Sequence, residues 1–465
     1  MVIALACKLI KQAMISKSDI PRLYENIYTD KVDDFLLVYN PVSKNGISVL
    51  NKEAAFLFRL IDGKRTVDNI FCIAQKKDPD VHFLDIHKAL NEFLFSDIIF
   101  FNNKKGFILQ KPKHLGVWLH ITNQCNLRCT YCYVSKTSDH MSDEVAEKAI
   151  DKIIKDAKTH GFERITIKFS GGESLLKFSQ ILHLVYFSRR LARRSKIEIE
   201  HVVLTNGILI TKKIAQILKR EKLRLAVSLD GLGKYHNRTR IFGNGTPSFK
   251  YVEQGINNLV KYDVPFSVSI TITSKNIENI PNLTKYLLKK DIPFAFNFLR
   301  SLSPTKERLE ASNAKLIHFL KKSYKMLYQN PPRYNFINGL LDRVFFTKPH
   351  LCACGTGMSY LTVNYNGHLA SCQMTLEKSI GTIYDRDLIK TMRNGCKTKD
   401  ITVNKKDPCK FCQWKYLCCG GCPLLTYEQK GRYATNSPYC KVYKTLIPKV
   451  LRIEAKRLIK YGAEM

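Results

Sequence analysis

Three cysteines, Cys125, Cys129 and Cys132, stand in the run Cys-Asn-Leu-Arg-Cys-Thr-Tyr-Cys. A C-x3-C-x2-C triplet supplies three thiolates, one short of what a cubic iron–sulfur cluster takes, so one iron is left to bind something that is not protein. Reduced, such a cluster can push an electron into a bound sulfonium compound, and the spacing therefore points to radical chemistry rather than simple electron transfer. The competing use of the same thiols is zinc. Structural zinc is closed by four ligands in paired C-x2–4-C or C-x2-C/H-x3–5-H units, and no fourth Cys or His follows this triplet at such a spacing.

A second group of thiols lies far downstream. Cys352 and Cys354 are followed by Gly367-x4-Cys372, then by Cys409-x2-Cys412-x5-Cys418-x3-Cys422, and after a gap by Cys440. Tight grouping of this kind favours metal ligation in a reducing cytoplasm over secreted disulfides. Of the 15 cysteines, this leaves Cys7, Cys72, Cys396 and Cys419. Cys7 and Cys72 read as small buried hydrophobes, whereas Cys419 adjoins Cys418 and is the one leftover thiol worth testing for catalysis.

Elements that must position the first triplet follow from periodicity. Strands are expected at 116–121, 164–169, 198–204, 223–229, 265–271 and 293–298, with helices over 142–158, 175–193, 211–220, 250–262 and 278–289. Six strand–helix steps with buried β-branched strands make an α/β fold, a parallel sheet curled as a partial (β/α)6 TIM-like barrel. Chemistry in such folds gathers at the C-terminal ends of strands, and the triplet sits just after the first. Residues 303–349 read as a helical connection. Residues 350–440 are cysteine-dense and poor in apolar periodicity, which suggests a domain held by metal rather than by a large core. The tail from Lys441 reads as a basic helix packing back on the body.

Ahead of the barrel, Phe35–Tyr39 and Ile47–Leu50 read as strands around an Asn45-Gly46 turn. Asn51 and Thr66 cap two helices, a third covers 83–96, and Ile98–Leu109 folds back around Asn102–Gly106. Together these make a winged-helix-like module. The chain of 465 residues carries a formal charge of +35, which would draw nucleic acid, anionic lipid or acidic peptide alike. Its lysine and arginine runs fall on helix faces, where solvation accounts for them. No apolar run reaches the ~20 residues of a membrane span, and Met1–Ser16 lacks the basic start and cleavage site of a signal peptide.

These motifs resemble the radical S-adenosylmethionine (SAM) superfamily. Tyr131 matches the aromatic that lies against adenine. Phe169-Ser170-Gly171-Gly172-Glu173 ends the second strand, where glycines would let backbone approach a ligand and Glu173 would accept from the methionyl ammonium. Thr205-Asn206-Gly207 ends the third strand. Ser228 in Val227-Ser228-Leu229-Asp230-Gly231 would bond the ribose, and Arg240 in His236-Asn237-Arg238-Thr239-Arg240 would meet the methionyl carboxylate. The cofactor-binding set this implies is Tyr131, Gly171, Gly172, Glu173, Asn206, Ser228 and Arg240.

Downstream cysteines resemble the SPASM domain, implying two auxiliary [4Fe–4S] clusters and three in all. The resemblance assigns Cys354, Cys372 and Cys422 to one and Cys409, Cys412, Cys418 and Cys440 to the other. The first is one thiolate short, with Cys352 the nearest candidate. Zinc knuckles are the alternative. The front module resembles a PqqD-like precursor-recognition element, carried by Ser48-Val49-Leu50-Asn51 and Leu60-Ile61-Asp62-Gly63-Lys64-Arg65-Thr66. Such a module takes a leader peptide as an added strand at a sheet edge.

The domains are then a recognition module at 30–110, a radical SAM barrel at 113–302, a helical connection at 303–349 and a SPASM domain at 350–445. The expected function is a cytoplasmic radical SAM oxidoreductase that modifies a ribosomally made precursor peptide, with thioether formation as first choice. Carbon–carbon or carbon–oxygen crosslinking and epimerisation are alternatives. Partners are the precursor, docked by its leader, and an electron donor such as flavodoxin or ferredoxin. Sulfatase maturation is a nearer rival, but its Asp after the Gly-x4-Cys cysteine is Gln373 here. A DNA-binding regulator is a rival of another class. Its reading helix, Val67–Gln75, offers Asp68, Asn69 and Gln75, a poor set for base edges.

Overall fold

A computed structural model describes residues 2–3, 15–101, 111–301 and 309–462. Six parallel strands lie side by side in chain order: His114–Thr122, Arg164–Gly171, Glu198–Thr205, Arg224–Ser228, Phe266–Ile272 and Phe294–Phe298. Helices Asp143–Thr159, Phe178–Ser195, Lys212–Arg220, Phe249–Lys261 and Ile280–Lys289 connect them. Along the first strand Leu115, Val117, Leu119 and Ile121 alternate into one core with Ala146, Ile150 and Ile153 of the first helix, as the two-residue period of a strand requires. That helix starts at Ser142, whose hydroxyl accepts from Val145 N–H, with Asp143 and Glu144 in its first turn. The cap alone contributes about 1 kcal/mol.

The sheet does not stop at the first barrel strand. Tyr360–Val363 pairs parallel to it, and His368–Ala370 and Ser379–Thr382 continue antiparallel, giving nine strands among the described residues. This corrects the expectation that residues 350–440 lack a core. Leu361, Val363, Leu369, Ile383, Leu388, Ile389 and Met392 join the barrel's own. Strands of three or four residues are too short to display alternation, which is why they escaped the sequence. Only a small cluster of Ala353, Val403, Cys409 and Cys419 stands apart.

Among the described residues of the connection, the α-helix Asn313–Gln329 is followed by irregular chain with a 3-10 turn at Ile337–Gly339. The tail is a 22-residue helix, Cys440–Tyr461, that buries Val442, Leu446, Val450 and an Arg457–Glu454 ion pair.

In the front module Tyr28–Val32, Phe35–Tyr39 and Ile47–Leu50 form an antiparallel sheet over three helices with its own core. Its outer strands are not bare. Ile47–Leu50 pairs with Val2–Ile3, and Lys31 O beside Tyr28–Val32 accepts from Arg452 of the tail helix. Asp30–Arg452 and Asp33–Lys456 ion pairs fasten module to body. Ile99–Phe100 pairs with Arg22–Leu23. The expected turn at Asn102–Gly106, like Cys7, lies outside the described residues.

Candidate functional site

The triplet occupies a loop that begins where the first barrel strand ends. Two backbone bonds tie its root to the second strand: Gly172 N–H to Thr122 O and Glu173 N–H to Gln124 O, both 2.7 Å. Two more tie its far side to the segment after the fourth strand, from Arg128 N–H to Ile241 O and from Thr130 N–H to Thr239 O. A Cβ on Gly171 would strike Thr122 O, and one on Gly172 would strike Gln124 O. These glycines therefore admit the cysteine loop itself. The expectation that they leave room for a ligand is corrected to that extent.

Each sulfur of the triplet faces a donor. Leu127 N–H lies 3.4 Å from Cys125 Sγ, Lys136 Nζ 3.1 Å from Cys132 Sγ, and Arg240 Nη1 3.8 Å from Cys129 Sγ. Burial pushes the Cys129 thiol up to about 11 and raises Cys125, against the lowering influence of Arg240 and Lys136. Thiols held this way ionise when a cation arrives to replace their protons. Among the described residues no three His, Cys, Asp or Glu side chains converge on a point that one metal ion would fill. Three thiols on one loop can each take a separate iron of a cubic cluster, which is the donor set iron–sulfur chemistry uses.

Glu173 is fully enclosed. It accepts from Thr205 Oγ1 at 2.6 Å, Asn206 N–H at 2.7 Å and Leu175 N–H at 3.0 Å. Burial raises its pKa while these three donors lower it. A carboxylate has about four acceptor positions, so one remains for an outside cation. Asn206 in turn donates to Asn126 Oδ1 at 2.7 Å, locking the third strand's end to the residue after Cys125.

The fourth strand's end holds a residue that motif reading passed over. Asp230 is completely buried and accepts from Arg240 Nε at 2.6 Å, from the Tyr131 hydroxyl and from Thr271 N–H at 2.9 Å. Its signal was the Asp-Gly pair after the strand. Arg240 and Tyr131 are brought together beside Cys129, with the guanidinium 5.5 Å from the ring centre. Ser228 is half-buried at the strand's last position, paired in register with Ser269.

Downstream, Cys409, Cys412, Cys418 and Cys440 line one cavity of about 30 Å³. Cys372 lies within the electrostatic reach of Cys354 and Cys422, and burial pushes its thiol up to about 11. Cys352 shares a small recess with Cys354 and Pro423 and lies within the electrostatic reach of Lys406, Cys354, Cys396 and Asp400. Lys406 is buried, its ammonium donating to Cys419 O and bearing on both Cys352 and Cys409. A buried cation wants anionic neighbours, which thiolates bound to iron would be. Cys419 is fully buried, its thiol 3.2 Å from His350 O, and burial raises its pKa. That is an inert structural cysteine, contrary to the catalytic role considered for it.

A cavity of about 180 Å³ is lined by Tyr133, next to Cys132, Met374, two residues past Cys372, and His120 and Asn123 from the first strand's end. Gln373 Oε1 accepts from Tyr360 Oη at 2.8 Å.

The description "Radical SAM superfamily" matches residues 119–287. Over 344 residues the chain is 28% identical to the cysteine-type anaerobic sulfatase-maturating enzyme of Clostridium perfringens, spanning 69% of this chain and 91% of that one. The structure of native anSMEcpe with bound AdoMet and Kp18Cys peptide superposes with TM-score 0.63 at 25% identity, covering 76% of this chain and all of that one. That of Streptococcus suis SuiB bound to precursor peptide SuiA reaches 91% of this chain and 100% of its own, with TM-score 0.54. At 15% identity this last likeness is one of fold.

Proposed function

The chain belongs to the radical SAM superfamily, and on that premise we propose that it matures a ribosomally made precursor peptide by closing a thioether crosslink. The observation that carries this is that the loop of Cys125, Cys129 and Cys132 meets Glu173, Asn206 and Arg240 at the ends of the barrel strands, with the cysteine-rich segment continuing the same sheet. When bound, the cluster on Cys125, Cys129 and Cys132 together with SAM supplies a 5′-deoxyadenosyl radical able to remove an unactivated hydrogen.

Everything else falls to the chain's own groups. Glu173 offers its remaining acceptor position to the methionyl ammonium. Arg240, held by Asp230, sits beside Cys129 for the carboxylate, and Tyr131, Asn206 and Ser228 border the same strand ends. Cys354, Cys372 and Cys422 would hold a first auxiliary cluster. Cys409, Cys412, Cys418 and Cys440 would hold a second. Cys352, in one recess with Cys354, is the candidate fourth thiolate; without it the first cluster would keep a free position. A leader strand that adds to Ile47–Leu50 takes the place of Val2–Ile3. A flavodoxin- or ferredoxin-like protein would deliver electrons.

Sulfatase maturation is the second reading, favoured by the 28% identity to the Clostridium perfringens enzyme. Gln373, neutral and with its oxygen taken by Tyr360, and the additional front module weigh against it. The test is to incubate anaerobically reconstituted protein with SAM, reductant and the precursor. Thioether formation predicts peptide-stimulated 5′-deoxyadenosine and a product that has lost two hydrogens and one free thiol. A formylglycine product on a sulfatase peptide would favour the rival.

A further inference from the structure

Lys168 lies on the second barrel strand between Ile167 and Phe169, whose side chains join the helix-backed core. By the two-residue period of a strand its own side chain faces the other way, into the barrel. Register sets it between Trp118 and Val202, with Thr362 beyond Trp118. Thr362 Oγ1 and Trp118 Nε1 have no hydrogen-bond partner among the described residues, but both are sealed, so nothing entering the barrel meets them. Lys168 also lacks an acceptor or an ion pair among the described residues, yet it is half-buried and its Nζ keeps solvent access. Glu200, the carboxylate on the same face, is engaged by Thr166 and Arg224.

Arg343 reaches the same place from the chain that follows the connecting helix. Its φ is +57°, a left-handed conformation that a residue with a long side chain keeps only where its surroundings hold it. The neighbouring Asp342 is spent on Arg300 at 2.5 Å. Arg343 itself has no hydrogen bond or ion pair among the described residues, and its nitrogens keep solvent access. Its charge bears on Lys168 and on Cys354, Cys372 and Cys422, the thiols of the first auxiliary group. Two half-buried cations therefore stand together between the barrel interior and those thiols. Burial lowers the pKa of Lys168, and the guanidinium lowers it further. Half-buried charges of one sign call for an anion. Ammonium and guanidinium groups only donate, so that anion must be an acceptor. In a ribosomally made peptide it is a carboxylate.

We propose that Lys168 and Arg343 together bind a carboxylate of the substrate peptide inside the barrel, supplied by an Asp or Glu side chain or by the C-terminus, and so fix the peptide beside the first auxiliary group of thiols. The assignment rests on the peptide-maturase reading. Both are positioning residues and take no part in forming the radical.

The test offers reconstituted protein with SAM two probes. An mRNA-displayed library of random linear peptides, whose C-termini are blocked by the linker, reads side-chain carboxylates. A synthetic pool of short random peptides, made as free acids and as amides, reads the C-terminus. Wild type should enrich Asp or Glu at a fixed position in the first, or free acids over amides in the second, and which occurs separates the two sources. Lys168→Met and Arg343→Met should each cut that preference at least about tenfold. Lys168→Glu should turn it toward Lys and Arg, or toward amides, which a merely structural role would not do. Iron content and peptide-free 5′-deoxyadenosine formation should stay within about twofold of wild type in each variant, well inside a tenfold loss. An unchanged preference in either Met variant, no acidic preference by wild type in either probe, or an equal loss of iron or of peptide-free turnover would overturn the assignment. Wild type that forms 5′-deoxyadenosine but retains no peptide from either probe would instead overturn the peptide reading beneath it.

Discussion

The two thiol groups hold the same side chain by opposite means. Around Cys125, Cys129 and Cys132 the chain is clamped before any metal arrives: two backbone bonds from Gly172 and Glu173, two from Arg128 and Thr130, and Asn206 across to Asn126. Cys409 and Cys418 instead lie on single helical turns, and Cys419, Gly420 and Gly421 adopt positive φ. Ala353, Val403, Cys409 and Cys419 form a small cluster of their own, while Trp414, Leu417 and Leu425 anchor the region to the main core and Cys412, Cys418 and Cys422 pack against it. One site is clamped by sheet ends. The other is made of short turns, which a bound cofactor would join.

The largest break in this comparison comes at Gly172. Gly172→Ala drives a Cβ into Gln124 O, displacing the root of the triplet loop while leaving strands intact. Misplacement of about 1 Å costs roughly 10²-fold in rate, so 5′-deoxyadenosine formation should fall by that order with the melting temperature nearly unchanged. The equivalent glycine in the C-terminal group, Gly431, has open space around its Cβ position but φ +68°. Gly431→Ala should cost stability there and little turnover.

Metal removal comes next. Chelating iron anaerobically should raise amide exchange across residues 396–440 and leave 114–300 protected. The barrel strands are laddered to one another within the main core, whereas the downstream turns, anchored to that core through Trp414, Leu417 and Leu425, would lose the clusters that join their thiols. Equal loosening of both regions would erase the contrast.

Acid acts in the reverse order, on the barrel. Burial holds His201 at about 3 and His236 at about 4, below the ordinary 6.5. In the unfolded chain these rings take up protons first, so the stability they lend is present above pH 6.5 and is lost as pH falls toward 4. At pH 5 each costs about 2 kcal/mol. The barrel's unfolding midpoint in denaturant should drop between pH 7 and 5, and His201→Asn should blunt the drop.

The smallest effect is expected at Cys352. Because Cys354, Cys372 and Cys422 would hold the first cluster by themselves, Cys352→Ala should leave most of the bound iron in place. Cys354→Ala should lower it, as measured by iron and sulfide content.

Much of this was legible in the sequence. Barrel strands as long as His114–Thr122 display their period, and the Gly171-Gly172-Glu173 and Asp230-Gly231 motifs fall at strand ends where they can be recognised. What escaped depends on contacts distant in sequence. Tyr360–Val363 extends the sheet across an interval of over two hundred residues that no local pattern spans. The pairing of Val2–Ile3 with Ile47–Leu50 closed an edge that looked open. The glycines were recognised, yet the reason for them lay in Thr122 and Gln124 rather than in a ligand.

The most direct test is the metal content of anaerobically reconstituted protein, wild type against Cys125→Ala/Cys129→Ala/Cys132→Ala. Three [4Fe–4S] clusters predict about twelve irons per chain, falling to about eight in the triple variant, with 5′-deoxyadenosine formation abolished and leader binding retained. About two zinc ions per chain, unchanged by the triple substitution, would contradict the account.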